Sequence, residues 1–404
     1  MVPYGLVERT TGNLLGRQSF TQPMTRIDET VEETARQRED ERFMDLALAL
    51  GRRALGRSWP NPTVGAVVVR YDDGPPIVVG RGWTQPGGRP HAETEALRRA
   101  GSAARGATLY VTLEPCSHQG KTPPCADAII AAGVGRVVSA IEDPNPEVAG
   151  QGHARLRAHG VKVDVGIAAE EATRAHAGHI RRMRERRPHV TLKLAVSADE
   201  KVARAGRRPA AITGQAGRDV VHLMRAQSDA IMIGIGTALS DDPQLTCRLP
   251  GMASRSPVRV VVDSHLRLPL ASTLVQTARA VPTWVVGGHD APPDRNQALR
   301  EAGVVVLRAE VRDARLDLSV AMRLLAERGI TRLMVEGGPK IAAALVAADL
   351  VDAAVLMRSR QSIGPDGIDA LEAMPLTALT RSPHLTSRAT ETIGEDIAET
   401  FERT

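Results

Sequence analysis

Between Glu41 and Leu55 the apolar positions Phe43, Leu46, Ala47, Leu50 and Ala54 recur at helical spacing until Gly56 and Pro60 interrupt it, which predicts a first helix. Two short runs rich in β-branched residues follow, Thr63–Arg70 and Ile77–Gly82, split by the turn formers Asp72-Asp-Gly-Pro-Pro76, and they predict a hairpin. Helix-like His91–Ala100, strand-like Ala107–Leu113, helix-like Pro124–Ala132 and strand-like Arg136–Ile141 then alternate, the mark of a layered α/β sheet that should close near residue 185. A second alternating series runs through strand Val190–Val196, helix Ala216–Gln227 and strands Ala230–Gly234, Val258–Asp263 and Thr283–Val286. It continues with helix Leu318–Arg328, strand Arg332–Glu336 and helix Pro339–Ala347, so a second α/β unit is expected. Beyond about Arg381 the period fades, and the first 37 residues are polar without a sustained period. The pattern therefore divides the chain into an extension (1–37) expected to be disordered, two α/β domains (38–185 and 186–385) and a tail (386–404).

A chain of 404 residues exceeds the size at which one hydrophobic core stops growing, in keeping with two domains. Only three each of Trp, Tyr and Phe are present, so Val, Leu, Ile and Ala must fill both interiors. The net charge of +5 suits an anionic partner, and part of the excess sits in one run, His179-Ile-Arg-Arg-Met-Arg-Glu-Arg-Arg187. Such a run reads as a helix end or connector more readily than as a nucleic-acid patch. Three cysteines cannot build a disulfide framework, which points to a reducing cytoplasm and turns attention to metal binding. No apolar run reaches the roughly 18–20 residues of a membrane span.

The sharpest local signal is His91-Ala-Glu93 at the opening of a helix, followed by Pro115-Cys116 after a strand and Cys125 at the start of the next helix. One imidazole and two thiolates make a three-ligand zinc site with the fourth position left for water, as catalytic zinc requires. Glu93 lies two positions from His91, off its face of the helix, and is left free to carry a proton. The pattern is the general signature of zinc deaminases, in which activated water attacks the carbon that bears the amino group. Nucleoside and tRNA deaminases usually place two residues between the cysteines, whereas eight intervene here.

The stretch Thr112-Leu-Glu-Pro-Cys-Ser-His-Gln-Gly-Lys-Thr-Pro-Pro-Cys125, together with Pro60-Asn-Pro-Thr-Val-Gly65, His91-Ala-Glu93 and Asp143-Pro-Asn-Pro146, closely resembles the deaminase half of the bifunctional riboflavin-biosynthesis deaminase-reductases. The resemblance implies a cytidine-deaminase-like α/β/α domain acting on 2,5-diamino-6-ribosylamino-4(3H)-pyrimidinone 5′-phosphate. His91, Cys116 and Cys125 would be the zinc ligands, Glu93 the proton carrier and Asn61 the residue that holds the pyrimidine. His118 and Lys121, in the loop between the cysteines, suit the ring or phosphate about as well as they suit a solvated loop.

Farther along, Lys193-Leu-Ala-Val-Ser-Ala-Asp199, Ser228-Asp-Ala-Ile-Met-Ile-Gly-Ile-Gly-Thr237, Asp241-Asp-Pro-Gln-Leu-Thr-Cys-Arg248 and Val335-Glu-Gly-Gly-Pro339 are weak singly. In this order they resemble the reductase half of the same family, which is similar in fold to dihydrofolate reductase and uses NADPH. The resemblance places Ala195, Thr237, Asp241, Ser264 and Gly338 at the cofactor and Arg225, Leu245, Arg248 and Glu336 at the substrate. Arg225 and Arg248 fit a ribose phosphate through a bidentate guanidinium, and Cys247 reads as a packing residue. The usual glycine after Ser-x-Asp is Glu200, the tryptophan common before Ile-Thr is Ala211, and Pro209 replaces a small hydroxyl residue. The reaction expected is deamination to 5-amino-6-(5-phosphoribosylamino)uracil, then reduction of the ribosyl group to ribityl, in a homo-oligomer with no nucleic-acid or membrane partner. The rivals are a tRNA or nucleoside deaminase, and a zinc deaminase whose second domain only binds.

Overall fold

The computed structural model describes residues 26–72, 74–120, 122–312, 315–372 and 374–403. Its first half is built on a five-stranded sheet in the order β2 (Ile77–Trp83), β1 (Gly65–Arg70), β3 (Thr108–Val111), β4 (Arg136–Ser139) and β5 (Lys162–Val165). The expected hairpin forms, β1 running antiparallel to both β2 and β3, while β3, β4 and β5 are parallel. Alternation along β1 sends Ala66 and Val68 to one face and Val67 and Val69 to the other, and all four are fully buried, so helices must cover both sides. The helix α1 (Arg26–Gly51) lies on the second face with Phe43, Met44, Ala47 and Leu48. On the first face lie α2 (Ala92–Ala100), α3 (Cys125–Ala131) and α4 (Gln151–Ala158), contributing Ala96, Ile129 and Leu156.

α1 starts at Arg26, not at Glu41, and so takes in the last dozen residues assigned to a disordered extension; residues 1–25 lie outside the described residues. The reason is visible at Asp40, which is buried although polar. Its carboxylate receives two hydrogen bonds from Arg136 (2.8 and 2.7 Å) and one from the Tyr110 hydroxyl (2.7 Å), tying α1 to β3 and β4. Burial by itself would raise the Asp40 carboxyl, but the bonds from Arg136 and Tyr110 outweigh it and hold the group below its usual value. A depressed folded value stabilises the fold above the unfolded pKa, near 3.9, and that contribution is lost as pH falls through the folded value. Asp40→Asn is expected to cost about 3 kcal/mol, the low end for breaking a buried pair because Arg136 keeps Asp164 at 2.7 Å. Urea denaturation at pH 7 and at pH 3 checks this, since the gap between parent and variant should shrink at the lower pH.

The second half is one nine-stranded sheet in the order Val305–Ala309, Thr283–Gly288, Val258–Val262, Ala230–Gly234, Arg332–Glu336, His189–Val196, Ala353–Arg358, Asp396–Arg403 and Leu385–Ile393. The first seven strands are parallel, and the last two form an antiparallel hairpin against Ala353–Arg358. The central strands are covered on both faces, Val260 entering one core and Val261 the other, which is why they read as unbroken apolar runs. The segment 386–404 is assigned to a tail, but its described residues 386–403 belong to this edge hairpin. Its outer strand Leu385–Ile393 is mostly exposed and polar, so no hydrophobic period betrays it.

The basic run joins the two halves. Arg182, on the helix Ala177–Glu185, donates to the carbonyls of Ala326 (2.8 Å) and Pro60 (3.3 Å), and Arg332 donates back to Ala175 (2.7 Å). Arg187 grips the buried Asp352 with two bonds of 2.5 and 2.8 Å, as expected of a connector. Among the described residues no helix is long and apolar enough to cross a membrane.

Candidate active sites

His91 is the N-cap of α2, so its ring leaves the helix at the carboxyl edge of the first sheet, next to the segment that follows β3. Cys116 lies in that segment, and Cys125 is the first residue of α3, where its amide donates to the Cys116 sulfur at 3.3 Å. His91 Nδ1 lies 3.3 Å from Cys125 Sγ and 3.7 Å from Cys116 Sγ, and one ligand atom from each residue lies within 4.8 Å of the others. Those spacings fit donors about a tetrahedral ion bound at roughly 2.0–2.3 Å. The charge state fits as well. Hydrogen bonding from Cys125, outweighing burial, brings the Cys116 thiol down to about 4, while the same bond and burial push the Cys125 thiol well up. A divalent cation bound between them would hold both sulfurs as thiolates.

Glu93 sits in the first turn of α2, 3 % exposed. Burial, and then the neighbouring Cys116 thiolate, raise its carboxyl to about 7, where it can both accept and release a proton near neutral pH. Asn61 stands on the other side of the imidazole. Its amide nitrogen donates to the Gly88 carbonyl at 2.8 Å and lies 3.4 Å from His91 Nε2, so it borders the site and steadies the ring. His118 is exposed in the loop between the cysteines, and Lys121 lies outside the described residues.

In the second sheet the residues assigned to cofactor and substrate gather at the carboxyl ends of adjacent parallel strands, the usual ligand edge of such sheets. Ala195 is near the end of His189–Val196, Thr237 opens the short helix after Ala230–Gly234, Ser264 follows Val258–Val262, and Gly338 follows Arg332–Glu336. Gly338 has φ +77 and caps the helix Pro339–Ala347, and a Cβ there would lie 2.9 Å from Thr237 Oγ1, so the two turns touch. Asp241 does not join them: it is exposed at the far end of its helix, where it accepts from Ser240 Oγ at 2.6 Å.

Arg225 and Glu336 form a bidentate pair, Nε to Oε1 at 2.5 Å and Nη2 to Oε2 at 2.7 Å, with a third bond from Arg225 Nη1 to the Thr246 carbonyl at 3.1 Å. That carbonyl lies between Leu245, buried with φ +54, and Arg248, whose amide meets His222 at 3.4 Å. Burial would raise Glu336, but Arg225 holds it below its ordinary value. Lys193, which the motifs do not single out for a role, sits opposite Glu336 across the ladder with its ammonium lowered by burial. The signal is a lysine in the middle of an alternating strand whose other positions are apolar or weakly polar, His189-Val-Thr-Leu-Lys-Leu-Ala-Val196.

Of the altered positions, Glu200 has φ +61, a left-handed conformation that favours glycine. Its carboxylate makes only a 3.4 Å contact with Arg358. Beside Ala211, where the resemblance leads one to expect an indole, a polar cavity of about 180 Å³ opens, bordered by Ser197, Arg204, Ser359 and Gln361. Cys247 is buried and packs as expected.

Residues 188–398 match the RibD C-terminal domain, and residues 37–141 match the cytidine and deoxycytidylate deaminase zinc-binding region. The chain is 38% identical over 370 residues to the riboflavin biosynthesis protein RibD of Aquifex aeolicus, covering 90% of this chain and 98% of that one. Its identity to the riboflavin biosynthesis protein RibD of Escherichia coli K12 is 39% over 370 residues, covering 89% and 98%. Among solved structures, RibD of Acinetobacter baumannii superposes with a TM-score of 0.80 at 33% identity, covering 91% of this chain and 100% of that one. The diaminohydroxyphosphoribosylaminopyrimidine deaminase/5-amino-6-(5-phosphoribosylamino)uracil reductase of Thermotoga maritima gives 0.78 at 34% identity, with 91% and 100% covered.

Proposed function

The chain belongs to the RibD family of riboflavin biosynthesis proteins, and from that premise we propose how its residues divide two reactions between two sites. It is a bifunctional deaminase and reductase of riboflavin biosynthesis, with a zinc-dependent first half and an NADPH-dependent second half. Residues 26–185 carry the deaminase, since α1 of its sheet begins at Arg26. Residues 186–403 carry the reductase, its boundary extended because the terminal hairpin belongs to that sheet.

His91, Cys116 and Cys125 hold zinc, which when bound makes water a nucleophile at neutral pH. Glu93 would carry the proton between the attacking water and the departing ammonia, a role supported by its burial and by a carboxyl raised to about 7. Asn61 holds the pyrimidine beside the His91 ring. In the second half Ala195, Thr237, Ser264 and Gly338 bind NADPH, which would supply the hydride. Asp241, exposed at the far end of its helix, stands outside this set. Arg225, Leu245, Arg248 and Glu336 bind the substrate, the arginines meeting its phosphate.

The observation that carries this reading is the three-ligand cluster with a buried, proton-exchanging carboxylate in the first turn of α2. The test supplies 2,5-diamino-6-ribosylamino-4(3H)-pyrimidinone 5′-phosphate with and without NADPH and follows ammonia release and NADPH oxidation separately. Ammonia should appear in both cases, and NADPH should be consumed only after deamination. Ammonia with no NADPH oxidation would refute the reductase half, and deamination of tRNA or nucleosides in place of this substrate would refute the assignment of the first.

A further inference from the structure

Glu114 lies two residues before Cys116, and its side chain is only 2 % exposed, yet no arginine or lysine pairs with it among the described residues. Its hydrogen bonds come from four backbone amides, and the buried His153 Nδ1 stands 4.0 Å from Oε2. Oε2 accepts the amides of Asp143 (3.0 Å) and Gly150 (2.8 Å), and Oε1 accepts those of Gly152 (2.7 Å) and His153 (3.3 Å). Gly152 and His153 form the first turn of α4, whose amides have no partners within the helix. The contact is close: a Cβ on Gly152 would lie 2.0 Å from the Pro115 carbonyl, so α4 rests directly on the residue that precedes Cys116.

α4 in turn reaches the segments beside both cysteines. Arg155 donates to the Ser117 carbonyl at 3.1 Å, one residue past Cys116, and pairs with Asp127 at 2.7 Å on α3, two residues past Cys125. We propose that Glu114 is a positioning residue for the zinc ligands: its carboxylate seats α4 against Pro115-Cys116, and α4, through Arg155, fixes the segments that carry both cysteines. The inference rests on the reading of His91, Cys116 and Cys125 as the zinc ligands. Only a carboxylate fills the position, because either orientation of an amide would turn its NH2 toward two backbone N–H groups.

The test measures zinc affinity of the full chain by competition with a chromogenic chelator, alongside deaminase kcat and KM and NADPH oxidation on separately supplied deaminated product. Glu114→Gln should lower zinc affinity by about 10–100-fold, the usual effect of losing an outer-shell partner. Deamination should recover when zinc is in excess, and NADPH oxidation should not change. Arg155→Ala removes a half-exposed side chain, 41% exposed, and should lower zinc affinity in the same direction without unfolding the protein. Unchanged zinc affinity in Arg155→Ala overturns the proposal, whether or not Glu114→Gln folds. So does a Glu114→Gln protein that melts earlier yet binds zinc as the parent does. A parent chain that binds no zinc would instead remove the ligand assignment on which the inference stands.

Discussion

Glu93→Gln is expected to lower ammonia release by about 10²–10⁴-fold, the range for losing a positioned proton carrier, while the zinc content stays at the parent level. The amide keeps the shape of the side chain and cannot exchange a proton. Zinc should be retained because the donor cluster is His91, Cys116 and Cys125, with Glu93 outside it. Stability should hardly change either: a carboxyl raised to about 7 is already neutral part of the time, and a neutral amide suits the same buried setting. NADPH oxidation on separately supplied deaminated product is the internal control and should match the parent. Metal analysis of the purified variant decides the role, since loss of zinc would make Glu93 a ligand and not a proton carrier.

The zinc site was legible in the sequence because its chemistry depends on residue types that are rare in this chain. Two of only three cysteines and a His-x-Glu at a helix start leave few alternatives, and the structure brings the three donors within 4.8 Å. What supports them was not legible. Glu114 looks like any acidic residue until α4 is seen, and α4 was not anticipated because its eight residues carry little apolar period. The same holds at the far end, where the hairpin 385–403 has one polar, exposed strand and gains its place from pairing with Ala353–Arg358. Buried parallel strands such as Ala230–Gly234 and Arg332–Glu336 were read to the residue, since burial on both faces leaves an unbroken apolar run with sharp ends. Long-range contacts and backbone partners leave no such trace in one sequence, which is also why Asp40 and the start of α1 went unread.

Arg225→Ala is expected to raise the KM of the reductase at least tenfold and to destabilise the second half by about 2–3 kcal/mol, leaving ammonia release unchanged. Both effects follow from how the guanidinium is used. Three of its five N–H groups are committed, two to Glu336 and one to the Thr246 carbonyl, which leaves two for a phosphate oxygen. Removing the arginine leaves the Glu336 carboxylate, 12 % exposed, with Lys193 and His222 as its remaining charged or titratable neighbours, and its pKa should rise as burial is no longer opposed by the pair. The partial exposure of both side chains, 11% and 12%, keeps the cost below that of a fully buried pair. Arg225→Lys should restore part of the stability and little of the KM, because an ammonium cannot reproduce a fork on Glu336 and still meet a phosphate. Steady-state kinetics and urea denaturation of the two variants separate the roles: a normal KM in Arg225→Ala with lowered stability would leave Arg225 as a support for Glu336 alone.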